Sequence, residues 1–191
     1  MTLPLERRAF TPEEYLWLER KSEYKSEYVD GQIYAHAGAS EPHNLIVAQT
    51  IAEFSSQLKG KPCRVYPSDI RVWLESINSY VYPDVTVLCG EPDFYDDRKD
   101  TILNPQIIVE VMSPSSESYD RTTKSEGYRS LASLTTYILI AQDKPLIEVF
   151  ERQEDERWLL SSAKGLEASV DLSHIGCTLK LADVYAFVKF G

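Results

Sequence analysis

The sequence predicts an α/β (α+β) fold, a mixed central β-sheet flanked by helices. Three stretches carry that expectation. Ile107-Ile108-Val109-Glu110-Val111-Met112 is nearly continuously apolar, as befits a strand covered on both faces. Val47, Ile51, Phe54 and Leu58 recur at helical spacing within residues 43–59, and Gly60 stands ready to stop that helix. Glu27-Tyr28-Val29-Asp30-Gly31-Gln32-Ile33-Tyr34 places Asp-Gly between two short runs, the signal of a tight hairpin whose turn matches strand twist.

The remaining elements come in order along the chain. Thr11-Pro12-Glu13-Glu14 starts a helix over residues 12–22: Thr11 caps, Pro12 suits the first position, and Glu14 reaches back. Tyr15, Leu16 and Leu18 should point inward. Val65, Ile70, Val72 and Leu74 form one strand-like run, broken around Pro67-Ser68, and residues 81–89 alternate with Val85 and Val87 on one face. Pro114 ends the apolar run at 107–112. Residues 118–131 read as a helix with Asp120, Lys124 and Tyr128 spaced four apart on one face. Residues 136–140 and 146–150 are strands around Asp143-Lys144-Pro145; Trp158-Leu159-Leu160 adds another, and a short helix over 181–190 closes the chain.

At 191 residues the chain is long enough for one domain with its own core. No apolar stretch approaches a membrane span, and the first residues lack the apolar region of a signal peptide, so a cytoplasmic location is the expectation. Cys63, Cys89 and Cys177 are too few and scattered for a zinc ribbon or a disulfide framework, and Cys89 reads as a small buried hydrophobe. The balance of 20 basic to 30 acidic residues, net −10, argues against tight non-specific nucleic-acid binding.

Charge inside strands is the informative anomaly. Glu110 interrupts an otherwise apolar run, and Asp84 follows Pro83 at the start of another. A buried carboxylate is costly unless paired, protonated or bound to a cation. On neighbouring strands the two would make a hard oxygen site for magnesium or manganese. Otherwise Glu110 lies on a solvated face and Asp84 caps a strand. Lys124, on the helix after the Glu110 strand, can fold back over the strand end. A lysine beside two carboxylates and a metal suits phosphodiester cleavage, where negative charge develops. The plainer alternative makes Lys124 an i,i+4 partner of Asp120.

The ordered set Pro83-Asp84, Glu110-Val111-Met112-Ser113-Pro114-Ser115-Ser116, Asp120, Lys124 and Tyr128 resembles the Uma-type family of restriction-endonuclease-like proteins, within the PD-(D/E)XK nuclease superfamily. The likeness extends from the Glu27–Ile33 hairpin and His43 to Tyr137-Ile138-Leu139-Ile140 and Glu148-Val149-Phe150, covering residues 10–188 of a single domain spanning 1–191. It implies a restriction-endonuclease-like core in which Asp84 and Glu110 ligate Mg2+ (or Mn2+), helped by the Val111 carbonyl, while Glu27 completes the metal shell or orients water. The superfamily usually places its lysine two residues after the glutamate. Here that position is Met112, so Lys124 is a migrated replacement.

Weaker candidates surround this set. His43 is a proton shuttle near neutral pH or a bland helix-start histidine. His36 and His174 read as structural or exposed. Asp69 and Arg71 either line the groove or reflect strand-edge polarity, and Tyr128 reads as a core aromatic. Arg20, Lys21, Lys25, Arg121, Lys124 and Arg129 are the cations available to track phosphates. The leading expectation is a metal-dependent endonuclease acting on DNA, and fold analogy adds a homodimer. A catalytically silent nuclease-fold module binding a protein or nucleic-acid partner is the alternative. A sugar hydrolase using paired carboxylates is a distant third.

Overall fold

The structure is a computed structural model describing residues 9–36, 38–113 and 116–190. The readings of the extreme N-terminus and of Pro114 and Ser115 lie outside those residues. In chain order the elements are α1 (Pro12–Glu19), β1 (Ser26–Val29), β2 (Gln32–Ala35), α2 (Glu41–Gln57), β3 (Cys63–Pro67), β4 (Arg71–Leu74), β5 (Ser79–Val81), β6 (Val85–Cys89), β7 (Thr101–Ile102) and β8 (Ile107–Met112). A helical segment comes next, made of α3 (Glu117–Tyr119), a π-helical turn (Asp120–Lys124) and α4 (Ser125–Ser130). The chain closes with β9 (Thr136–Ala141), β10 (Leu146–Arg152), β11 (Trp158–Lys164), β12 (Ser169–Leu172), β13 (Cys177–Lys180) and α5 (Leu181–Val184).

A six-stranded mixed sheet ordered β11-β10-β9-β8-β6-β3 forms the centre. Its β8 and β9 run parallel and antiparallel pairs surround them. Every residue of β8 and β9 is buried, as the continuous apolar run at 107–112 predicts. Strand alternation then sorts their side chains to two faces. Val85, Val87, Val109, Val111, Ile138 and Ile140 pack with Ile46 and Phe54 of α2, while Ile108, Met112, Tyr137 and Leu139 pack with Val72, Leu74, Val81 and Tyr128. The partners in the second group come from a five-stranded sheet ordered β2-β1-β5-β4-β7, and from α4. α4 sits close against β4: a Cβ on Gly127 would lie 2.9 Å from the Leu74 side chain.

Local chemistry explains most element ends. Thr11 and Glu14 form the capping box at α1. Asp30 and Gly31 both take positive φ, 42° and 87°, as the Asp-Gly hairpin turn requires. α1 stops at Glu19 rather than at 22, because Glu19 turns inward to accept bonds from the Ser26 amide and the Tyr82 hydroxyl. Leu18, expected inward, is 39% exposed; the inward position belongs to Glu19.

Four expectations are corrected. The run from Val65 to Leu74 is two strands, β3 and β4, in different sheets. The β12–β13 hairpin carries no strong signal in the sequence, and the final helix is shorter than expected, ending at Val184. The cysteines are not all free: Cys63 and Cys89 form a disulfide. They lie directly opposite each other in the β3–β6 register, so a pairing invisible in linear spacing brings them together. Cys89 is accordingly half-buried and bonded, and Cys177 alone is the buried free thiol.

Candidate active site

The register of two central strands sets the site. Val85 pairs with Val109 in the antiparallel β6–β8 ladder, which places Asp84 opposite Glu110 just beyond the end of the ladder. There Asp84 Oδ2 accepts the Val111 amide at 2.7 Å, so a side-chain carboxylate takes the bond a ladder carbonyl would otherwise make. The same oxygen lies 3.3 Å from His43 Nε2 on the first turn of α2. Ser40 caps that helix and fixes where His43 points.

Glu110 shares β8 with a wholly buried set and is itself 4% exposed. Its Oε1 accepts the Tyr128 hydroxyl at 2.6 Å and Lys124 Nζ at 3.3 Å. Lys124 Nζ also meets Glu27 Oε1 at 3.0 Å and Asp120 Oδ1 at 3.8 Å. Glu27 comes from β1 of the second sheet and is held by the Tyr82 amide at 3.0 Å. The π-helical turn at Asp120–Lys124 sets both ends of this cation–carboxylate contact on the buried side.

These groups line one cavity of about 440 Å³, together with Tyr34, His36, Ser40, Tyr82, Val111, Ser113, Ser116, Tyr119 and Gln142. Its charge is lopsided, with Glu27, Asp84, Glu110 and Asp120 facing a single lysine. Burial raises Glu110 well above the ordinary glutamate range; Lys124 opposes this, while Asp120 and Asp84 add to it. Burial likewise raises Asp120. For Lys124 burial works against the charge, yet Glu110, Glu27 and Asp120 overcome it and hold the ammonium well above its usual value. For His43 burial also opposes charging, and the bond to Asp84 outweighs it, so the ring favours its protonated form.

The structure thus brings Glu27, His43, Asp84, Glu110, Val111 and Lys124 to one place. Met112, at the superfamily's usual lysine position, is buried in the core instead. Lys124 contacts Asp120, as the plainer reading expected, but at 3.8 Å that is its longest ion pair. Tyr128 is a core aromatic whose hydroxyl also reaches Glu110. His36 is exposed at the cavity rim, edge-on to Tyr82, whereas His174 lies elsewhere against the Thr135 and Thr136 hydroxyls.

Other candidates fall away from the cavity. Asp69 pairs with Lys25 at its exposed edge, and Arg71 is buried against Asp100, Thr101 and the Tyr82 hydroxyl. The cations expected to track phosphates are largely engaged elsewhere: Arg20 by Asp96 and Asp100, Lys25 by Asp69, Arg121 by Glu117 and Glu148. Lys21 lies over the Trp17 ring and Arg129 bonds the Ser125 carbonyl. Tyr34, Ser40, Tyr82, Tyr119, Asp120 and Gln142 also line the cavity, and sequence reasoning gave none of them a site role. The four-residue spacing of Asp120 from Lys124 was the available signal, and it was spent on a helix-surface pair.

Comparison with known proteins agrees with this fold. A solved structure from Anabaena variabilis, described as a putative nuclease belonging to DUF820, superposes with a TM-score of 0.76 at 18% identity, covering 94% of this chain and 99% of that one. The fold is therefore shared with that protein. Two proteins of Synechocystis sp., both described as uncharacterized, are similar in sequence. The protein sll1609 is 33% identical over 166 residues, 87% of this chain and 94% of that protein. The protein slr1290 is 34% identical over 182 residues, 94% and 93%. Residues 12–182 match the model of the Uma2 family, described as "Putative restriction endonuclease". With most of its length inside that match and the carboxylate–lysine cavity within it, the chain belongs to the Uma2 family.

Proposed function

We propose that this protein is a metal-dependent endonuclease that hydrolyses DNA phosphodiester bonds. The observation that carries the reading is the convergence of four carboxylates in a single cavity around one buried lysine, which pairs with three of them. Such an excess of negative charge is costly to bury, and a divalent cation relieves it. The donors suit a hard ion, being carboxylate and carbonyl oxygens. Asp84 and Glu110, with the Val111 carbonyl, would hold Mg2+ or Mn2+. Among the described residues no group of three His, Cys, Asp or Glu side chains is ready-made for a metal, so water and substrate oxygens would complete the shell. When bound, such an ion supplies Lewis-acid polarisation of the phosphate and a more acidic water.

The chain's own groups divide the remaining work. Asp84 and Glu110 are each anchored through one oxygen, Oδ2 and Oε1, and neither Oδ1 nor Oε2 meets a hydrogen-bond donor among the described residues. That arrangement supports a ligand role without repacking. Glu27, held by Tyr82 and Lys124, orients water at the cavity side of β1. Lys124 keeps its proton and opposes the negative charge that develops on phosphate. His43, 3.3 Å from Asp84, is placed to pass a proton to the leaving oxygen.

The test is cleavage of plasmid and oligonucleotide DNA with Mg2+ or Mn2+, for wild type, Asp84→Asn and Glu110→Gln. Both variants should lose activity by about a hundredfold or more while remaining folded. Undiminished cleavage in either variant rejects the assignment. The engagement of the cations by carboxylates favours a second reading, a silent module that kept the fold. Wild-type protein that cleaves nothing with any divalent metal, yet binds a protein partner, would select it.

A further inference from the structure

Resting on the nuclease reading, we propose that the substrate is single-stranded nucleic acid, seated by stacking of a base on Tyr34 and His36 at the cavity rim.

Tyr34 lies directly across the hairpin from Glu27 in the β1–β2 register, so the two side chains stand on the same face. Opposed residues of this kind keep their Cβ atoms roughly 5 Å apart. Tyr34 is nevertheless 56% exposed, unlike the buried tyrosines of the core. His36 follows on the same arm, exposed and braced edge-on by the Tyr82 ring 6.3 Å away. Two ring faces thus flank the carboxylates on one side of the cavity. A base resting on Tyr34 keeps its own phosphate beside Glu27 and Glu110.

The opposite wall provides a donor. The Tyr119 hydroxyl is buried and has no hydrogen-bond partner among the described residues, although its residue lines the cavity. A buried hydroxyl without a partner costs free energy until a ligand meets it. Its ring lies 5.5 Å from Lys124 Nζ, so the hydroxyl is placed to donate to a phosphate oxygen near the site.

Electrostatics argue against a duplex. Duplex binding is driven by cations that neutralise backbone phosphates. Lys124 is the sole lysine or arginine lining the cavity among the described residues, and three carboxylates share it. Arg20, Lys25 and Arg121 are spent on aspartate and glutamate partners. Stacking does not require net positive charge, and every base has a π-face. An acidic chain with aromatic groups at its cavity mouth fits unpaired bases.

The experiment is an anisotropy titration of the full chain with a fluorescein-labelled oligothymidylate and with a duplex of equal length, in Ca2+. Plasmid and single-strand cleavage in Mg2+ are measured in parallel. The single strand should bind at least about tenfold tighter than the duplex. Tyr34→Ala and His36→Ala should each weaken single-strand binding about tenfold while Tyr34→Trp preserves it. Thermal melts check that the variants fold, which the exposure of both residues favours. Equal or tighter duplex binding, or single-strand binding indifferent to Tyr34→Ala, overturns the proposal. If DNA is cleaved in that case, the nuclease reading survives and only the substrate class falls. If nothing is bound or cleaved, both fall together.

Discussion

Two buried charge clusters in this protein use the same ingredients to opposite ends. Around the cavity, Glu27, Asp84, Glu110 and Asp120 face one lysine. Beneath α1, Arg20 and Arg71 meet Asp96 and Asp100, with the Tyr82 hydroxyl linking Arg71 to Glu19. In the second cluster Arg20 and Arg71 outweigh the burial cost and hold Asp100 well below its usual value. In the first, burial and crowding push Glu110 and Asp120 upward. In one cluster two arginines meet the two aspartates; in the other the carboxylates outnumber the lysine, an excess that a bound cation would relieve under the nuclease reading. Stoichiometry, depth of burial and the direction of the carboxylate shift separate them, whereas the presence of ion pairs does not.

The largest test removes the cavity's counterion. Lys124→Met should destabilise the protein by about 3–5 kcal/mol at pH 8, because three carboxylates then face one another without a partner. The loss should be smaller at pH 5, because burial raises Glu110 above its ordinary value and so favours its neutral form as pH falls. A urea midpoint that moves equally at both pH values would erase the contrast between the clusters. Next in size, Arg71→Met should cost about 3 kcal/mol by stranding Tyr82 and weakening the hold on Asp100. Unlike the lysine variant, it should show no relief on mild acidification.

A smaller effect sharpens the comparison. Glu110→Gln should change stability by no more than about 1 kcal/mol near neutral pH, and in the stabilising direction, since it removes an ill-paired charge. The pH dependences should oppose each other. Glu110 binds its proton more tightly folded than unfolded, so its contribution is lost as pH rises from the ordinary carboxylate range toward the raised value. Asp100 is depressed in the folded state, so its contribution is present above the unfolded pKa and lost as pH falls toward the folded one. Urea titrations from pH 3 to 9 should lose the first slope in Glu110→Gln and the second in Asp100→Asn. Retention of both slopes in both variants would mean that other groups set the profile.

Much of this was legible in the sequence because local and global signals agree. The β8 run announced its burial, Asp30-Gly31 its turn, and Glu110 its misfit among apolar neighbours. The hidden features depend on strand pairing. The opposition of Cys63 and Cys89, and of Tyr34 and Glu27, exists only once register is set. Arg71 and Asp100 lie 29 positions apart in the chain, and no periodicity links them. Asp120 was visible yet misjudged, because four-residue spacing on a helix suggests a solvated pair and gives no sign of the sheet beneath.

The π-helical turn carries a consequence at the scale of the gene. Such a turn amounts to one residue more than an α-helix needs. Inserting one further codon in the 120–124 segment would leave a residue the turn does not absorb and rotate α4 by about 100° relative to α3. Tyr128 would then leave Glu110. Replacing the exposed Thr122 should pass almost unnoticed. This stretch is therefore governed by its length more than by its spelling, so an in-frame insertion there breaks the Glu110 contact that many point changes would spare.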